Sequence, residues 1–271
     1  MLCLVATPIG NLEDVTLRAL RVLREASLVL AEDTRRTRKL LDRHGIDRTP
    51  LSLHAHNEAA RVGRVLAVLA EGGDVALVSD AGTPLVSDPG ERLLTAVVEA
   101  GHPVTAVPGP SAVLAALTLA GLGTERFSFL GFLPRKAGAR RALLERVATA
   151  EETLVLFESP QRLAATLAEL ATRLGERRAC VARELTKLHE EVARGSLDEL
   201  AERFADGARG EVTLVVAGAQ PAPAPAVDDL DDEIRARLAS GETPRDVAAR
   251  LARPGLSRRD VYARVNELRV K

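Results

Sequence analysis

The sequence has few cysteines, few aromatic residues and no long hydrophobic run. Cys3 and Cys180 are the only cysteines among 271 residues. Each lies in an apolar run typical of a strand, so neither a disulfide framework nor a cysteine metal site is expected. No segment approaches the roughly 18 consecutive apolar residues that indicate a membrane helix, and the apolar run Leu2 to Ala6 carries no basic leader. These absences predict a soluble, cytoplasmic protein.

The chain also lacks an excess of charge of either sign. Its formal net charge is −1 at pH 7, so a nucleic-acid partner would have to be bound by a local basic patch. Tryptophan is absent and Tyr262 is the only tyrosine, which argues against base stacking on aromatic side chains as the main binding device. Only four of the 37 basic residues are lysines and the rest are arginines. Contacts of arginine with phosphate and 2′-hydroxyl groups are therefore a better expectation for RNA binding than base stacking.

The first 120 residues alternate short apolar runs with amphipathic stretches. This pattern is typical of a parallel sheet covered by helices. The predicted strands are Leu2 to Ala6, Leu28 to Ala31, Leu51 to His54, Val75 to Ser79 and Val104 to Val107. Helical spacing occurs between them, for example over residues 15–25 and 59–69.

Two glycines between residues 121 and 127 interrupt this alternation of strands and helices, and a domain boundary is expected there. Further strands are predicted at Phe127 to Leu133, Leu154 to Phe157, Ala179 to Arg183 and Val212 to Ala217. We therefore expect an N-terminal α/β domain with a parallel sheet over residues 1–120. A second α/β domain, with a mixed sheet, is expected over residues 121–218.

The last 50 residues differ in composition from the rest. Residues 219–228 form a Pro/Ala linker that is expected to be extended. Residues 229–271 contain three helical stretches, with Thr243 and Ser257 as predicted N-caps and Pro254-Gly255 between the last two helices. Three short helices with these caps and breaks predict a small helix-turn-helix-like module. The module either contacts nucleic acid or is a solvated appendage that aids dimerisation.

Glycine- and proline-rich loops follow several of the predicted N-terminal strands. The loop Ala6 to Asp14 matches neither a Walker loop nor a GxGxxG fingerprint. The loops Val78 to Gly90 and Val107 to Ala112 each follow a buried strand. Ligands in open α/β sheets bind at the carboxyl ends of strands, where glycine leaves room and backbone groups can read an adenosine. A ligand site is predicted where these loops meet.

Polar loops also end the predicted strands of the second half. Residues 130–136 (LGFLPRK) and 157–162 (FESPQR) end strands at points where a partner could dock. Residues 182–191 (ARELTKLHEE) are, taken alone, typical of a solvated charged turn.

Together and in this order, the segments ATPIGNLED, AEDTRRTRKLL, VSDAGTPLVSDPG, PGPSA, FLGFLPRK, ESPQR and ARELTKLHEE resemble the RsmI family. They cover residues 1 to about 218. The resemblance implies a two-domain fold similar to the tetrapyrrole methylases, with S-adenosylmethionine in the cleft between the domains and no metal. It further implies 2′-O-methylation of a cytidine in the decoding region of 16S ribosomal RNA, within the small ribosomal subunit, by a homodimer.

The resemblance also implies which residues line the cofactor. These are Pro8, Gly10, Asp80, Ala81, Gly82, Thr83, Pro84, Val86, Ser87, Pro108, Gly109, Ser111, Ala112, Phe157 and Leu185. The chain departs from related patterns at Thr83, where tetrapyrrole methylases have aspartate, and at Gln161, where RsmI sequences usually have histidine.

Methyl transfer from a sulfonium depends mainly on alignment of the reactants, but the ribose hydroxyl must also lose a proton. A carboxylate, or a lysine of lowered pKa, is suited to accept it. The candidates are Glu184 and Lys187, with Asp33 as a third. The basic residues expected to contact RNA are Arg35, Arg36, Arg38, Lys39, Arg135, Lys136 and Arg162.

Two other functions stay open at this point. The same scaffold would serve a methyltransferase acting on a corrinoid or sirohaem precursor, because fold alone does not fix the substrate. A non-enzymatic regulator, with an effector bound to the α/β part and DNA bound to the last module, is the alternative from a different class.

Overall fold

The structure is a computed structural model that describes residues 1–54, 56–220, 227–252 and 256–270. It forms two compact units, Met1–Ala219 and Gln220–Lys271. Most of the predicted Pro/Ala linker, and the predicted break at Pro254 and Gly255, lie outside the described residues. Within the described ranges, no helix is both long enough and apolar enough to cross a bilayer.

The first sheet contains five parallel strands in the order β3-β2-β4-β1-β5. The strands are β1 (Leu2–Val5), β2 (Leu28–Ala31), β3 (Leu51–Ser52), β4 (Val75–Val78) and β5 (Val104–Val107). Every residue of β2 and β4 is buried, as expected for parallel strands with helices on both faces. The strand predicted at Leu51 to His54 is shorter, because only its first two residues pair with β2 at the sheet edge.

Four helices cover this sheet: α1 (Leu17–Glu25), α2 (Thr34–Arg43), α3 (Glu58–Ala70) and α4 (Glu91–Glu99). Alternate residues of β4 divide between two cores, since successive side chains of a strand point to opposite faces. Ala76 and Val78 pack with α1 and α2, whereas Val75 and Leu77 pack with α3 and α4. Both faces of the central strands are therefore covered by helices, which leaves the strand ends as the place where a ligand can approach them.

The second sheet has the order β6-β7-β10-β8-β9. Its strands are β6 (Phe127–Phe132), β7 (Thr153–Glu158), β8 (Arg178–Arg183), β9 (Glu191–Ser196) and β10 (Val212–Val216). β6 and β7 are parallel and the other pairs are antiparallel, which confirms the predicted mixed sheet. The sequence did not predict β9, because it is an edge strand in which only Ala193 is buried, so its apolar pattern is weak.

The helices of this half are α5 (Ala112–Ala120), α6 (Ala137–Val147), α7 (Leu163–Leu174) and α8 (Leu197–Arg203). α5 precedes the predicted boundary at residue 120, yet it packs on the second sheet. Val113 and Leu117 share a core with Val155 and Val215. The apolar side of α5 thus connects the loops of the first sheet to the second sheet.

The C-terminal unit contains α9 (Val227–Ala239), α10 (Pro244–Leu251) and α11 (Arg258–Val270), which confirms the three predicted helices. Both predicted N-caps are also confirmed. Thr243 Oγ1 accepts a hydrogen bond from Asp246 N at 3.3 Å, and Ser257 Oγ accepts one from Asp260 N at 3.2 Å. The unit has its own apolar core, made by Leu230, Ile234, Val247, Ala248, Leu251, Val261 and Val265.

Candidate active site

A cavity of about 360 Å³ opens between the strand-end loops of the first sheet and the strands of the second. Its volume lies within the range of about 300–1,000 Å³ found for small-molecule sites. The wall is formed by Ile9, Arg36, Asp80, Ala81, Gly82, Val86, Ser87, Asp88, Ser111, Ala112, Val113, Phe132, Phe157, Glu158, Ser159, Pro160, Gly210, Glu211, Val212 and Thr213.

The two glycine-rich loops predicted to form a ligand site do meet in this wall. The predicted cofactor residues that line it are Asp80, Ala81, Gly82, Val86, Ser87, Ser111, Ala112 and Phe157. The predicted residues that do not line it are Pro8, Gly10, Thr83, Pro84, Pro108, Gly109 and Leu185.

Local packing explains why some of these residues lie outside the wall. A Cβ atom at Gly10 would lie 2.5 Å from Lys187 Cγ and 2.7 Å from the Leu185 carbonyl oxygen. The space at Gly10 therefore accommodates the protein's own loop and not a ligand. Gly109 similarly packs against Ala6, since a Cβ atom there would lie 3.0 Å from that side chain.

Backbone hydrogen bonds fix the loop at residues 80–90 against the residues that follow β1. Thr7 N donates to Gly82 O at 2.9 Å, and Gly82 N donates to Thr7 O at 3.0 Å. The same loop contains Leu85 with φ +73° and Ser87 with φ +69°. Non-glycine residues in this left-handed region cost free energy and persist only where the surroundings hold them, which is common at functional sites.

A buried carboxylate organises the second-sheet side of the wall. The Glu158 side chain is inaccessible to solvent and accepts hydrogen bonds from Ser159 N at 2.7 Å and Thr166 Oγ1 at 2.6 Å. Arg162 Nη2 lies 3.4 Å from the same carboxylate and donates to Leu133 O at 3.3 Å. Arg162, predicted to contact RNA, thus ties together the two loops that follow β6 and β7.

Acidic side chains dominate the charge on the first-sheet side. Burial raises the pKa of Asp88 to about 6, with a further increase from the charge of Asp80 and an opposing hydrogen bond from Ser79. Burial, together with the charges of Asp88 and Asp80, also raises the pKa of Glu32. Sequence reasoning missed Asp88, although it belongs to the quoted VSDAGTPLVSDPG segment.

The predicted catalytic pair Glu184 and Lys187 lies behind the wall. Lys187 Nζ is 2.7 Å from Glu184 Oε1 and 3.2 Å from Glu211 Oε2, and Glu211 N donates to Glu184 Oε1 at 3.0 Å. Of these three residues, only Glu211 lines the cavity. Glu184 and Lys187 therefore contact Glu211, and Glu211 contacts the cavity.

The protonation of this pair differs from the expectation. The hydrogen bond from Lys187, followed by the one from Glu211 N, lowers the pKa of Glu184. Burial acts to lower the pKa of Lys187, but its hydrogen bonds and charge interactions with Glu184 and Glu211 outweigh burial and raise that pKa. The expectation of a lysine with a lowered pKa is therefore wrong for Lys187.

Asp33, the third predicted catalytic residue, caps α2. Its carboxylate accepts hydrogen bonds from Arg35 N and the Arg35 side chain, and the side-chain bond is the main reason that the pKa of Asp33 falls to about 2. Asp33 N donates to Asp80 Oδ1 at 2.7 Å. Asp33 therefore acts on the cavity by holding Asp80.

The predicted RNA-binding residues occupy different environments. Arg36 lines the cavity, 3.6 Å from Asp80 Oδ2 and 3.8 Å from Glu211 Oε1. Arg38 Nη2 donates to Thr49 Oγ1 at 3.3 Å. The remaining exposed residues of this group are Arg35, Lys39, Arg135 and Lys136.

Comparison of the chain with known proteins points to a methyltransferase family. The family model of the tetrapyrrole (corrin/porphyrin) methylases matches residues 1–201. A ribosomal RNA small subunit methyltransferase I from Micromonospora olivasterospora is 47% identical, over 97% of this chain and 86% of that protein. The chain belongs to this methyltransferase I family. A member from Synechocystis sp. is 46% identical, over 97% of this chain and 96% of its own length.

Solved structures of tetrapyrrole methyltransferases share the fold. Uroporphyrin-III-C-methyltransferase from Thermus thermophilus has a TM-score of 0.58 and 24% identity, covering 80% of this chain and 93% of that chain. A cobalt precorrin-4 methyltransferase has a TM-score of 0.60 and 20% identity, covering 80% and 94%. Membership of the methyltransferase I family confirms the RsmI resemblance, the predicted fold class and the assignment as an S-adenosylmethionine-dependent methyltransferase.

Proposed function

We propose that this protein transfers a methyl group from S-adenosylmethionine to the ribose 2′-hydroxyl of a cytidine in the decoding region of 16S ribosomal RNA. The names of its relatives specify the RNA of the small ribosomal subunit. One observation carries the proposal to this chain: the segments that resemble the RsmI family supply most of the wall of a single cavity. A reaction on ribosomal RNA belongs in the cytoplasm, and we expect the small subunit as partner and a homodimer as the active form.

The cavity suits S-adenosylmethionine in chemical character. Ile9, Val113 and Phe157 offer an apolar surface, whereas Asp80, Ser87 and Ser111 are polar residues of the same wall. The cofactor supplies a methyl group on a cationic sulfonium. Carboxylates in the wall favour a cationic ligand because opposite charges attract strongly where water is scarce.

Among the residues of the wall, Asp88 is best suited to accept the ribose proton. Its pKa of about 6 lies near the working pH, where a carboxylate is ionised and still basic enough to be useful. Asp33, Glu184 and Lys187 have supporting roles in this assignment. Asp33 holds Asp80, and the other two hold Glu211, so that all three act on the cavity through a carboxylate of its wall.

Basic residues around the cavity are suited to phosphate contacts. Arg36 lies in the wall, and Lys39, Arg135 and Lys136 are exposed. Phosphate contacts position an RNA without reading its sequence. The C-terminal unit adds exposed arginines at the starts of two helices, Arg245 in α10 and Arg258 with Arg259 in α11, and we propose that this helix-turn-helix-like module also contacts RNA.

The test is incubation of the protein with labelled S-adenosylmethionine and, separately, small ribosomal subunits, free 16S RNA and a tetrapyrrole precursor. The expected result is label in RNA, mapped by mass spectrometry to one 2′-O-methylated cytidine. Label only in the tetrapyrrole would support the rival substrate. Specific binding of duplex DNA without methyl transfer to any acceptor would support a regulator instead.

A further inference from the structure

Strand β6 contains an irregularity beside the cavity. Its pairing with β7 is regular from Phe127 to Phe129 and then shifts, so that Phe132 lies opposite Phe157 and one residue of β6 is extra. Gly131, immediately before Phe132, has φ +63°. A β-bulge of this kind reverses which face of the sheet the following side chains occupy, and bulges often re-aim a side chain next to a functional site.

The bulge brings Phe132 to the cavity face. In a regular strand Phe132 would share a face with Leu130, since alternate residues point the same way, and Leu130 packs in the core on the opposite side. Instead the Phe132 ring packs on Phe157, with ring centroids 5.6 Å apart, next to Phe129 at 4.9 Å from the same ring. Three aromatic rings are thus gathered on one side in a chain that has only five phenylalanines.

Phe132 differs from its two aromatic neighbours in its accessibility. It lines the cavity and is nevertheless 55% exposed, so it lies where the cavity opens to solvent. In the proposed function the methyl donor would occupy the cavity, and the methyl acceptor would approach from the solvent side. Phe132 presents a flat apolar ring, supported from behind by Phe157, on that side.

We propose that Phe132 stacks on the base of the target nucleotide and so holds its ribose at the cavity mouth. The inference rests on the proposed RNA substrate and deepens it. Bases of single-stranded nucleic acids stack on aromatic side chains of the proteins that bind them, and enzymes that modify a base hold it between apolar or aromatic side chains. Arg135 and Lys136 follow in the same loop and are both exposed, and we expect them to bind the flanking phosphates.

The test compares Phe132→Ala, Phe132→Leu and Phe132→Tyr with Phe127→Ala. Phe127 is the matched control because it lies at the other end of β6, is 40% exposed and does not line the cavity. We expect Phe132→Ala and Phe132→Leu to lower kcat/KM for the RNA by about 5- to 150-fold, the range that corresponds to loss of one base–aromatic stack. Phe132→Tyr and Phe127→Ala should stay within about threefold of the wild type, and the Kd for S-adenosylhomocysteine should stay within about twofold in every variant.

Several outcomes would overturn the proposal. If Phe132→Leu matched the wild type, an apolar contact would suffice and stacking would be refuted. If Phe132→Ala weakened S-adenosylhomocysteine binding as strongly as RNA methylation, the ring would contact the adenine of the cofactor. A change in sedimentation of Phe132→Ala alone would indicate a subunit interface. Absence of RNA methylation by the wild type would instead refute the proposed function, which keeps the two failures distinct.

Discussion

Replacement of Asp88 by asparagine should stabilise the protein at alkaline pH while it abolishes most of the activity. The pKa of Asp88 is raised from 3.8 to about 6, so the folded state binds this proton more tightly than the unfolded chain does. Stability is therefore lost as the pH rises from about 4 to about 6, and the whole deficit is present above pH 6. Asparagine has no proton to lose and escapes the deficit.

The magnitude follows from the size of the shift. The rise of the pKa from 3.8 to about 6 corresponds to about 3 kcal/mol. Solvent in the open cavity screens the charge, which reduces the expected gain to about 1 kcal/mol. For a chain of this size, that gain raises Tm by about 2–4 °C. Differential scanning calorimetry of Asp88→Asn and wild type should show this increase at pH 8 and no difference at pH 4.

An exposed carboxylate provides the control. Asp206→Asn removes one negative charge from the surface and should leave Tm unchanged at both pH values. An equal gain for Asp88→Asn at pH 4 and pH 8, or no gain at pH 8, would refute the argument that burial of this carboxylate destabilises the fold. Turnover of Asp88→Asn should fall by about 10²- to 10⁴-fold, the usual contribution of general base catalysis; full activity would remove Asp88 from the proton transfer.

Three further predictions concern the loops around the cavity. Glu184→Gln should lower turnover by about 10- to 100-fold through misplacement of Lys187 and the wall, whereas the Kd for S-adenosylhomocysteine measured by calorimetry stays within about twofold; unchanged turnover would exclude Glu184 from any role. Gly210→Ala should reduce both activity and urea resistance, because a Cβ atom there would overlap the Glu184 carboxyl group. Gly207→Ala is its control, since Gly207 has nearly the same φ of +86° but no atom within 4 Å of the added Cβ, and equal losses in the two variants would contradict the predicted clash. The double variant of Arg135 and Lys136 to glutamine should reduce the slope of log K for RNA against log salt by about 0.7 to 0.9 for each lost phosphate contact; an unchanged slope would remove this pair from the RNA surface.

The first-sheet half of the site could be predicted from the sequence because its signals are local. Val75 to Val78 form a continuous apolar run, and a turn-rich segment follows at once, so that both the strand and the ligand loop at its end can be recognised. The same holds for Ser111 and Ala112 after β5. In a parallel sheet these loops converge at one edge, so local patterns suffice to bring their residues together.

The second-sheet half of the site could not be predicted, because it depends on strand pairings that the sequence does not reveal. Glu158 and Gly210 to Thr213 enter the wall only because β10 lies beside β7, a pairing between segments about 55 residues apart. The edge strand β9 buries one residue and therefore lacks the apolar run that marks a central strand. The raised pKa of Lys187 likewise depends on its contacts with Glu184 and Glu211, and the pairing of β10 with β8 brings Glu211 to Glu184.

Helix α5 makes the folding of the first half depend on the second sheet. It begins in the cavity wall at Ala112 and Val113, whereas its inner face is covered by the second sheet through Ala116, Leu117 and Ala120. A fragment that stopped at residue 120 would leave that face in water, which favours aggregation over independent folding. The same contact constrains evolution of the two halves. A different domain could replace the second sheet only if it also covered the apolar face of α5.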